Sequence, residues 1–302
     1  MKLLITGALS ANESLFADLR RMGHEIVFVQ DERIPLLEQG IDPAVFDGVI
    51  GNGLFLYTPI ELFTSLRYIQ LTSAGVDRVP LDYVEAHGIE LHNAGGVYSI
   101  PMAEFALGGV LQLLKQSRAF ACQQARHEWI KHRRLPELAG KTVCIVGCRR
   151  VGTACAKRFF AMDCRVIGVD VVPVKKEPYE EIVEIVRLDD MLSQADIVVL
   201  TVPLTDETRR LMDADKLALL KNTAVLVNIA RGGVVDTEAL IDRLPQLGGA
   251  VLDVFEEEPL PKASPLWELE NVILTPHNSF EGEHNADRLA AVIRENMEHA
   301  QQ

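Results

Sequence analysis

Residues 142–152 read Thr-Val-Cys-Ile-Val-Gly-Cys-Arg-Arg-Val-Gly, in which an apolar strand runs into a turn with a glycine at each end. The pattern beyond the turn is helical, with Val151 and Cys155 on one face. Strand, glycine turn and helix in this order are the context that a dinucleotide-binding fingerprint requires. Gly147 would allow the tight turn and Gly152 would allow close packing of helix on strand. The free N–H groups at the start of the helix would receive a pyrophosphate.

Two residues near this turn bear on which cofactor it would hold. Arg149 stands where the fingerprint normally has a middle glycine, which lets the backbone approach the phosphates. Three alternatives remain open: its guanidinium swings outward, it adds a phosphate contact, or it weakens the binding of the cofactor. Asp170 ends the next predicted strand, 18 residues after Gly152. A carboxylate there can accept hydrogen bonds from the ribose hydroxyls of adenosine and would repel a 2′-phosphate. The sequence therefore favours NAD over NADP.

Short apolar runs alternate with helical patterns along the whole chain, in two groups. The predicted strands of the first group are 2–6, 25–29, 48–50, 68–71 and 89–91, and those of the second are 142–146, 165–169, 196–200, 224–228, 249–252 and 271–274. Near-continuous Val, Ile and Leu runs are typical of parallel strands covered on both faces. Two groups, in 302 residues, predict two doubly wound α/β domains. Residues 100–124 between them form one long helical pattern, which either bridges the domains or is buried at an interface.

Charge and cysteine usage narrow the partners and the compartment. With 30 Lys and Arg against 43 Asp and Glu, the net charge is −13, and an acidic surface repels the phosphates of nucleic acids and anionic lipids. The five cysteines form no Cys-x-x-Cys pair, which is typical of reduced thiols. No apolar run approaches the ~18 residues of a membrane span, and the first apolar run is too short for a signal peptide. We expect a cytoplasmic protein with no nucleic-acid partner, no membrane partner and no metal site.

Three later segments carry polar residues at the ends of predicted strands. They read Asn-Ile-Ala-Arg-Gly-Gly at 228–233, Asp-Val-Phe-Glu-Glu-Glu-Pro at 253–259 and Thr-Pro-His at 275–277. Open α/β sheets bind their ligands at the carboxyl ends of the strands. One arginine, one carboxylate and one histidine are therefore expected at a single edge of the sheet.

In this order the segments closely resemble the NAD-dependent D-2-hydroxyacid dehydrogenase family, and the resemblance covers most of the chain. It also includes Ser-Ala-Gly-Val-Asp at 73–77, Asn-Ala-Gly-Gly at 93–96, Ala-Glu at 103–104, Glu-Leu-Ala-Gly-Lys at 137–141, and Val-Pro-Leu-Thr at 202–205 with Thr208. The sequence departs from the family at Phe280, where many members have small residues, and this ring would narrow the site.

The resemblance implies a catalytic role for three residues. Arg231 would grip the carboxylate of the substrate and its neighbouring carbonyl, and a planar carboxylate matches the fork of a guanidinium. His277 would donate a proton to the carbonyl oxygen as hydride arrives from the nicotinamide, since an alkoxide needs a proton and histidine is poised to give one near neutral pH. Glu258 would pair with His277 and hold it protonated.

The resemblance also implies two binding sets, in which Asp253 would bind the nicotinamide carboxamide and the N–H groups of Gly75 and Val76 would take the substrate carboxylate. The cofactor-binding set comprises Gly147, Arg150, Val151, Gly152, Asp170, Pro203, Thr208, Ile229, Ala230, Arg231, Asp253, His277 and Ser279. The substrate-binding set comprises Leu54, Gly75, Val76, Arg231 and His277. The stretch 51–57 contains no Arg or Lys for a second anion, which argues against 3-phosphoglycerate. In it, Leu54 and Phe55 either line a small or aliphatic pocket or merely pack the first domain.

The expected architecture is a Rossmann NAD-binding domain of residues 99–276 and a flavodoxin-like substrate domain of residues 1–98 and 277–302. The resemblance further implies a homodimer through the nucleotide domain. We expect hydride transfer between NAD(H) and a small 2-oxo acid, of the glyoxylate, hydroxypyruvate, pyruvate or aliphatic type, giving a D-2-hydroxy acid. The alternatives are a non-enzymatic NAD-sensing module, like the related transcriptional corepressors, and a D-3-phosphoglycerate dehydrogenase.

Overall fold

A five-stranded and a seven-stranded sheet organise the chain in its computed structural model, which describes residues 1–9 and 12–300. Each sheet belongs to its own compact unit. The first unit comprises Met1–Tyr98 and the stretch from Gly282 onward, and the second unit comprises Ser99–Glu281.

Helices and strands alternate along both units. The strands are β1 Lys2–Thr6, β2 Glu25–Val29, β3 Gly48–Gly51, β4 Tyr68–Leu71, β5 Glu90–His92, β6 Thr142–Val146, β7 Arg165–Asp170, β8 Glu181–Glu184, β9 Ile197–Leu200, β10 Val225–Asn228, β11 Gly249–Leu252 and β12 Val272–Leu274. The α-helices are α1 Glu13–Arg21, α2 Leu81–Ala86, α3 Ser99–Leu114, α4 Ser117–Ala125, α5 Arg150–Phe160, α6 Leu188–Gln194, α7 Ala214–Leu219, α8 Thr237–Arg243 and α9 Asn285–His299. Within the described residues, no helix combines the length and the apolar character that crossing a membrane requires.

The first unit has the parallel strand order β2-β1-β3-β4-β5, the flavodoxin-like order. Alternate residues of β1 face opposite layers: Leu3 packs with α1 and α9, whereas Leu4 packs with the buried side chains that follow β2 and β3. Arg294 of α9 donates to Asp18 of α1 at 2.6 Å, and this hydrogen bond holds the pKa of that carboxyl below its usual range. The last helix therefore completes the layer that the first helix begins.

The second unit has the parallel order β12-β11-β10-β9-β6-β7-β8. Six of its strands, β8-β7-β6-β9-β10-β11, follow the order of a Rossmann sheet, with the direction of winding reversed between β6 and β9, and β12 is added at one edge. Helices α3 and α5 cover one face, against residues such as Val143 and Ile145, and α6, α7 and α8 cover the other, against Cys144 and Val146. The predicted fold class of two doubly wound parallel-sheet domains is confirmed.

Two elements differ from the sequence prediction. The helical pattern 100–124 is broken into α3 and α4 because Gln116 adopts a left-handed conformation, with φ of 51°. Strand β8 was not predicted, since it has glutamates at both ends and only two apolar residues. It pairs with β7 at the edge of the sheet.

The return of the chain to the first unit also falls later than the expected residue 277, at Gly282. The segment between stays with the second unit because it is hydrogen-bonded there. His277 N–H donates to the backbone oxygen of Asp253 at 2.8 Å, and Asn278 N–H donates to the carboxylate of the same residue at 2.8 Å.

All five cysteines are free thiols, and only Cys122 is exposed. Burial raises the pKa of Cys155 to about 12 and that of Cys148 to about 11. Both thiols are therefore protonated at neutral pH and behave as small apolar side chains of the core.

Two adjacent glycines of α3 give a matched test of this packing. A Cβ on Gly109 would lie 2.6 Å from Cγ1 of Val251 on β11, a branched side chain that cannot swing away, whereas a Cβ on Gly108 would meet nothing within 4 Å. We expect Gly109→Ala to lower the free energy of unfolding by about 1–3 kcal/mol through overpacking. Gly108→Ala should raise it by roughly 0.5–1 kcal/mol, because alanine is the better helix former. Urea unfolding of both variants measures this, and equal effects of the two would contradict the packing of α3 on β11.

Candidate active site

The carboxyl ends of three neighbouring strands supply the polar residues of the second unit. Asn228, Leu252 and Leu274, the last residues of β10, β11 and β12, are paired with one another across the sheet. Arg231 and His277 each follow one of these ends by three residues, and Asp253 follows directly. The structure thus brings the predicted arginine, carboxylate and histidine segments to one edge of one sheet.

His277 and Glu258 form the hydrogen-bonded pair at this edge. The imidazole Nδ1 lies 2.8 Å from Glu258 Oε2, and the other oxygen, Oε1, accepts the backbone N–H of Phe255 at 3.0 Å. Because Nδ1 faces the carboxylate, Nε2 is the ring nitrogen that remains for a substrate. The ring of Phe280 meets the imidazole edge-on, with 6.0 Å between centroids, so the aromatic residue that departs from the family lies beside the histidine.

Asp253 anchors the loop that carries His277. Its side chain is fully buried (0% exposed), and its oxygens accept hydrogen bonds from Thr275 Oγ1 at 2.7 Å, Asn278 N–H at 2.8 Å and Ser279 N–H at 2.9 Å. His277 itself has φ of 52°, a left-handed conformation that a residue other than glycine adopts only when its surroundings hold it there. A carboxylate offers about four acceptor positions, and these hydrogen bonds use three of them.

Arg231 is positioned by Asn228, a residue to which the sequence analysis gave no role. The side-chain amide of Asn228 donates to the carbonyl of Arg231 at 3.1 Å, and its oxygen accepts the N–H of Ala230 at 3.1 Å. The guanidinium Nη1 donates to the carbonyl of Ala230 at 2.8 Å. Ile229 and Ala230, both predicted to contact the cofactor, are themselves buried residues of this loop.

The glycine turn after β6 has a shape that only glycines can make. Gly147 has φ of 94°, and a Cβ on Gly152 would lie 2.0 Å from its carbonyl oxygen. Thr201, at the end of β9, donates its hydroxyl to the same carbonyl at 2.6 Å and so fixes the turn to the neighbouring strand. Such a cradle at the start of α5 fits the pyrophosphate of a dinucleotide, because the first N–H groups of a helix have no partner within it.

Arg149 and Asp170 flank this turn. Arg149 is exposed and has φ of −76°, a conformation open to any residue, so the missing middle glycine does not distort the backbone. Asp170 is buried at the end of β7, where its oxygens accept the N–H of Cys148 at 2.7 Å and of Val172 at 3.2 Å. The carboxylate thus ties the glycine turn to β7 and keeps acceptor capacity for ribose hydroxyls.

The other predicted cofactor residues of the second unit differ in exposure. Pro203 is exposed, and its carbonyl accepts the hydroxyl of Thr208 at 2.6 Å. Arg150 is exposed, Val151 is partly buried, and Ser279 is buried. Within residues 1–9 and 12–300, no group of three or more His, Cys, Asp or Glu side chains is arranged to hold a metal ion.

The substrate residues expected in the first unit lie in two loops. Gly75 and Val76 follow β4 and are partly buried. Leu54 is only 1% exposed and packs in the core with Phe55, whose ring meets that of Phe63 at 5.6 Å. This burial favours the packing of Leu54 in the first core, and its contact with a substrate stays a prediction.

Comparisons with known proteins identify the family of this chain. Residues 107–279 match the family described as D-isomer specific 2-hydroxyacid dehydrogenase, NAD binding domain. The glyoxylate reductase of Thermofilum pendens is 35% identical over 243 residues, which cover 77% of this chain and 71% of that protein. The D-3-phosphoglycerate dehydrogenase of Methanocaldococcus jannaschii is 33% identical over 303 residues, which cover 98% of this chain but only 57% of that protein.

A solved structure shares the whole fold. The D-isomer specific 2-hydroxyacid dehydrogenase from Xanthobacter autotrophicus, crystallised with NADPH and MES, has a TM-score of 0.80 and 28% identity, and the match covers 99% of this chain and 94% of that one. The family match spans more than half of the chain and lies within the second unit. This chain therefore belongs to the D-isomer specific 2-hydroxyacid dehydrogenases, the family of NAD-dependent oxidoreductases of 2-hydroxy acids.

Proposed function

We propose that this protein reduces a small 2-oxo acid of the glyoxylate or hydroxypyruvate type to the D-2-hydroxy acid with NADH, and catalyses the reverse reaction. The observation that carries the proposal is the hydrogen bond of 2.8 Å between His277 Nδ1 and Glu258 Oε2, at the same sheet edge as Arg231. The name of the Thermofilum pendens relative, a glyoxylate reductase, supports this substrate class.

Each of the three residues has its own part in the reaction. Arg231 binds the carboxylate of the 2-oxo acid through its fork of N–H groups and orients the carbonyl. The bound nicotinamide supplies the hydride. His277 Nε2 donates a proton to the carbonyl oxygen as negative charge develops there, and takes it back in the reverse direction. Glu258 holds the ring in place and stabilises the positive charge that the ring carries before it gives up the proton.

NAD is the cofactor that the proposal assigns to the second unit, with preference over NADP. The support is the Asp170 carboxylate at the end of β7, which would face a 2′-phosphate with a like charge. Gly147 and Gly152 would admit the pyrophosphate to the start of α5, and Thr201 holds their turn in shape.

A D-3-phosphoglycerate dehydrogenase is the second candidate, favoured by the Methanocaldococcus jannaschii relative that aligns over 98% of this chain. Against it stands the loop 51–57, which offers no lysine or arginine to a phosphate.

We also propose that the protein acts as a homodimer, in the cytoplasm. Trp129 is 93% exposed and Ile130 is 57% exposed, in the segment of the second unit after α4. Large apolar side chains that are this exposed side by side favour a contact with another protein surface.

The five free thiols support the proposed location in the cytoplasm, because they favour a reducing compartment.

Substrate turnover is the first test of the proposed reaction. NADH oxidation should be measured with glyoxylate, hydroxypyruvate, pyruvate and branched 2-oxo acids. Arg231→Ala should lower kcat/KM by about a thousandfold, because the charged, two-pronged partner of the substrate carboxylate is lost. NADH binding, followed by fluorescence, should change little. Arg187→Ala, an exposed arginine paired with Asp190, is the control and should retain activity. A folded, NADH-saturated wild type that turns over none of the acids would contradict the proposal.

Cofactor choice is tested at Asp170. Asp170→Ala should lower the preference for NADH over NADPH by about tenfold, because the like charge is removed. It should also weaken NADH binding, because the N–H groups of Cys148 and Val172 lose their acceptor. The ratio of kcat/KM for the two cofactors is the measurement, with Asp189→Ala, an exposed carboxylate of α6, as control. If this ratio is unchanged in Asp170→Ala, Asp170 does not determine the preference for NADH.

Sedimentation tests the dimer. The wild type should sediment at twice its chain mass of 33.5 kDa, and Trp129→Glu should shift it towards the single-chain mass, because a buried unpaired charge destabilises an interface. Val186→Glu replaces another exposed apolar residue, 81% exposed, and should leave the mass unchanged. A wild type that sediments as a single chain at micromolar concentration would contradict the proposed dimer.

A further inference from the structure

Glu32, in the loop after β2 of the first unit, places its carboxylate on the backbone of another loop. Oε1 accepts the N–H of Gly53 at 2.6 Å, and Oε2 accepts the N–H of Asn52 at 3.1 Å. The hydroxyl of Thr6 donates to Oε2 at 2.5 Å. Successive backbone N–H groups of this kind form a concavity that binds anions. Here a side chain of the protein itself is the bound anion.

The surroundings are shaped for this carboxylate. A Cβ on Gly51 would lie 3.1 Å from Glu32 Oε2, and a Cβ on Gly53 would lie 3.3 Å from Oε1, so the two glycines let the carboxylate reach the backbone. Asn52 Oδ1 is buried and has no hydrogen-bond partner in the described part of the chain. The N–H donors of the loop after β3, at Asn52 and Gly53, are therefore already used by Glu32.

This loop lies beside the segment that the family resemblance connects with the substrate carboxylate. Strands β3 and β4 are paired up to Gly51 and Leu71, so the residues that follow them leave the same edge of the first sheet together. Gly75 and Val76 follow β4. The buried side chain of Leu54 fixes the far end of the β3 loop in the core. Glu32 is thus a fixed charge at the edge where the first unit would meet a 2-oxo acid.

We propose that Glu32 is a specificity residue: its carboxylate occupies the anion-binding N–H pair of the β3 loop, so the enzyme accepts 2-oxo acids with a single anionic group and rejects those with a second one. The inference rests on the proposed function and narrows its substrate class. A phosphate, sulfonate or second carboxylate at the far end of the substrate meets a like charge and finds no vacant pair of N–H donors at this loop.

Two arginines near this loop could oppose this effect, and one of them, Arg33, is already paired with Asp31 at 3.0 Å; the other is Arg78. Its Cδ lies 4.0 Å from the position of a Cβ on Gly53, and the side chain is exposed. One exposed guanidinium contributes little to holding an anion, since it is solvated and flexible. The N–H pair filled by Glu32 is fixed, and we infer that the fixed charge decides the preference.

The test compares two substrates that differ only in a phosphate, hydroxypyruvate and 3-phosphohydroxypyruvate. The ratio of kcat/KM for the two is measured on wild type, Glu32→Gln and Glu38→Gln. The last variant removes an exposed carboxylate of the same region and is the charge-matched control. Because both substrates are assayed on one preparation, a loss of folded protein cancels in the ratio. Arg78→Gln is assayed in the same way.

Wild type should favour hydroxypyruvate, and Glu32→Gln should lower that preference by about tenfold or more, whereas Glu38→Gln leaves it within about twofold. A wild type that favours the phosphorylated acid would overturn the inference without any variant. A ratio of kcat/KM for the two substrates that is the same in Glu32→Gln as in wild type would also overturn it. If the wild type favours the phosphorylated acid and Arg78→Gln removes this preference, Arg78 and not Glu32 decides the substrate. A wild type inactive on every 2-oxo acid would instead contradict the proposed function, and the inference with it.

Discussion

The buried carboxylate of Asp253 is the constraint on which the candidate active site depends. Three donors, from Thr275, Asn278 and Ser279, converge on it. A fully buried charge is tolerated only when its oxygens are paired, so the loop and the carboxylate require each other. Between the donors lies His277, whose left-handed backbone is held by this bonding. Asp253 therefore sets the position of the His277 backbone, and Glu258 then sets the direction of the imidazole through Nδ1.

The fold could largely be predicted because parallel strands with both faces covered are apolar along their length, as in 142–146 and 197–200. Strand β8 lacks this signal: only its edge pairing with β7 defines it. The break at Gln116 also had no local signal, since neither glycine nor proline marks it. Where the structure departs from the pattern, contacts with distant residues outweigh local preference.

The same reasoning applies to the candidate site. The segments of Arg231, Glu258 and His277 could be placed at one sheet edge because each follows the end of its own strand, and the family resemblance singled out the three residues within them. Thr201 and Glu32 could not, because the hydrogen bonds that define them join residues 54 and 20 to 26 positions apart. Thr201 is an uncharged residue and Glu32 is one of many acidic residues. Both lie in loops, and neither belongs to a motif that the sequence would reveal. Their contribution is to shape a backbone, which only the folded chain reveals.

The first unit is built from both ends of the described chain, whereas the second unit is one continuous stretch. Helix α9, whose residues Leu289 and Ile293 complete one layer of the first core, is therefore synthesised after the whole second unit. At ribosomal rates, roughly 15–55 s separate the synthesis of β1 from that of this helix. During that interval the second unit can fold as a domain, while Leu3 and Ile5 on β1 still lack part of their cover. The apolar side chains of the first sheet therefore stay partly uncovered until α9 has been synthesised.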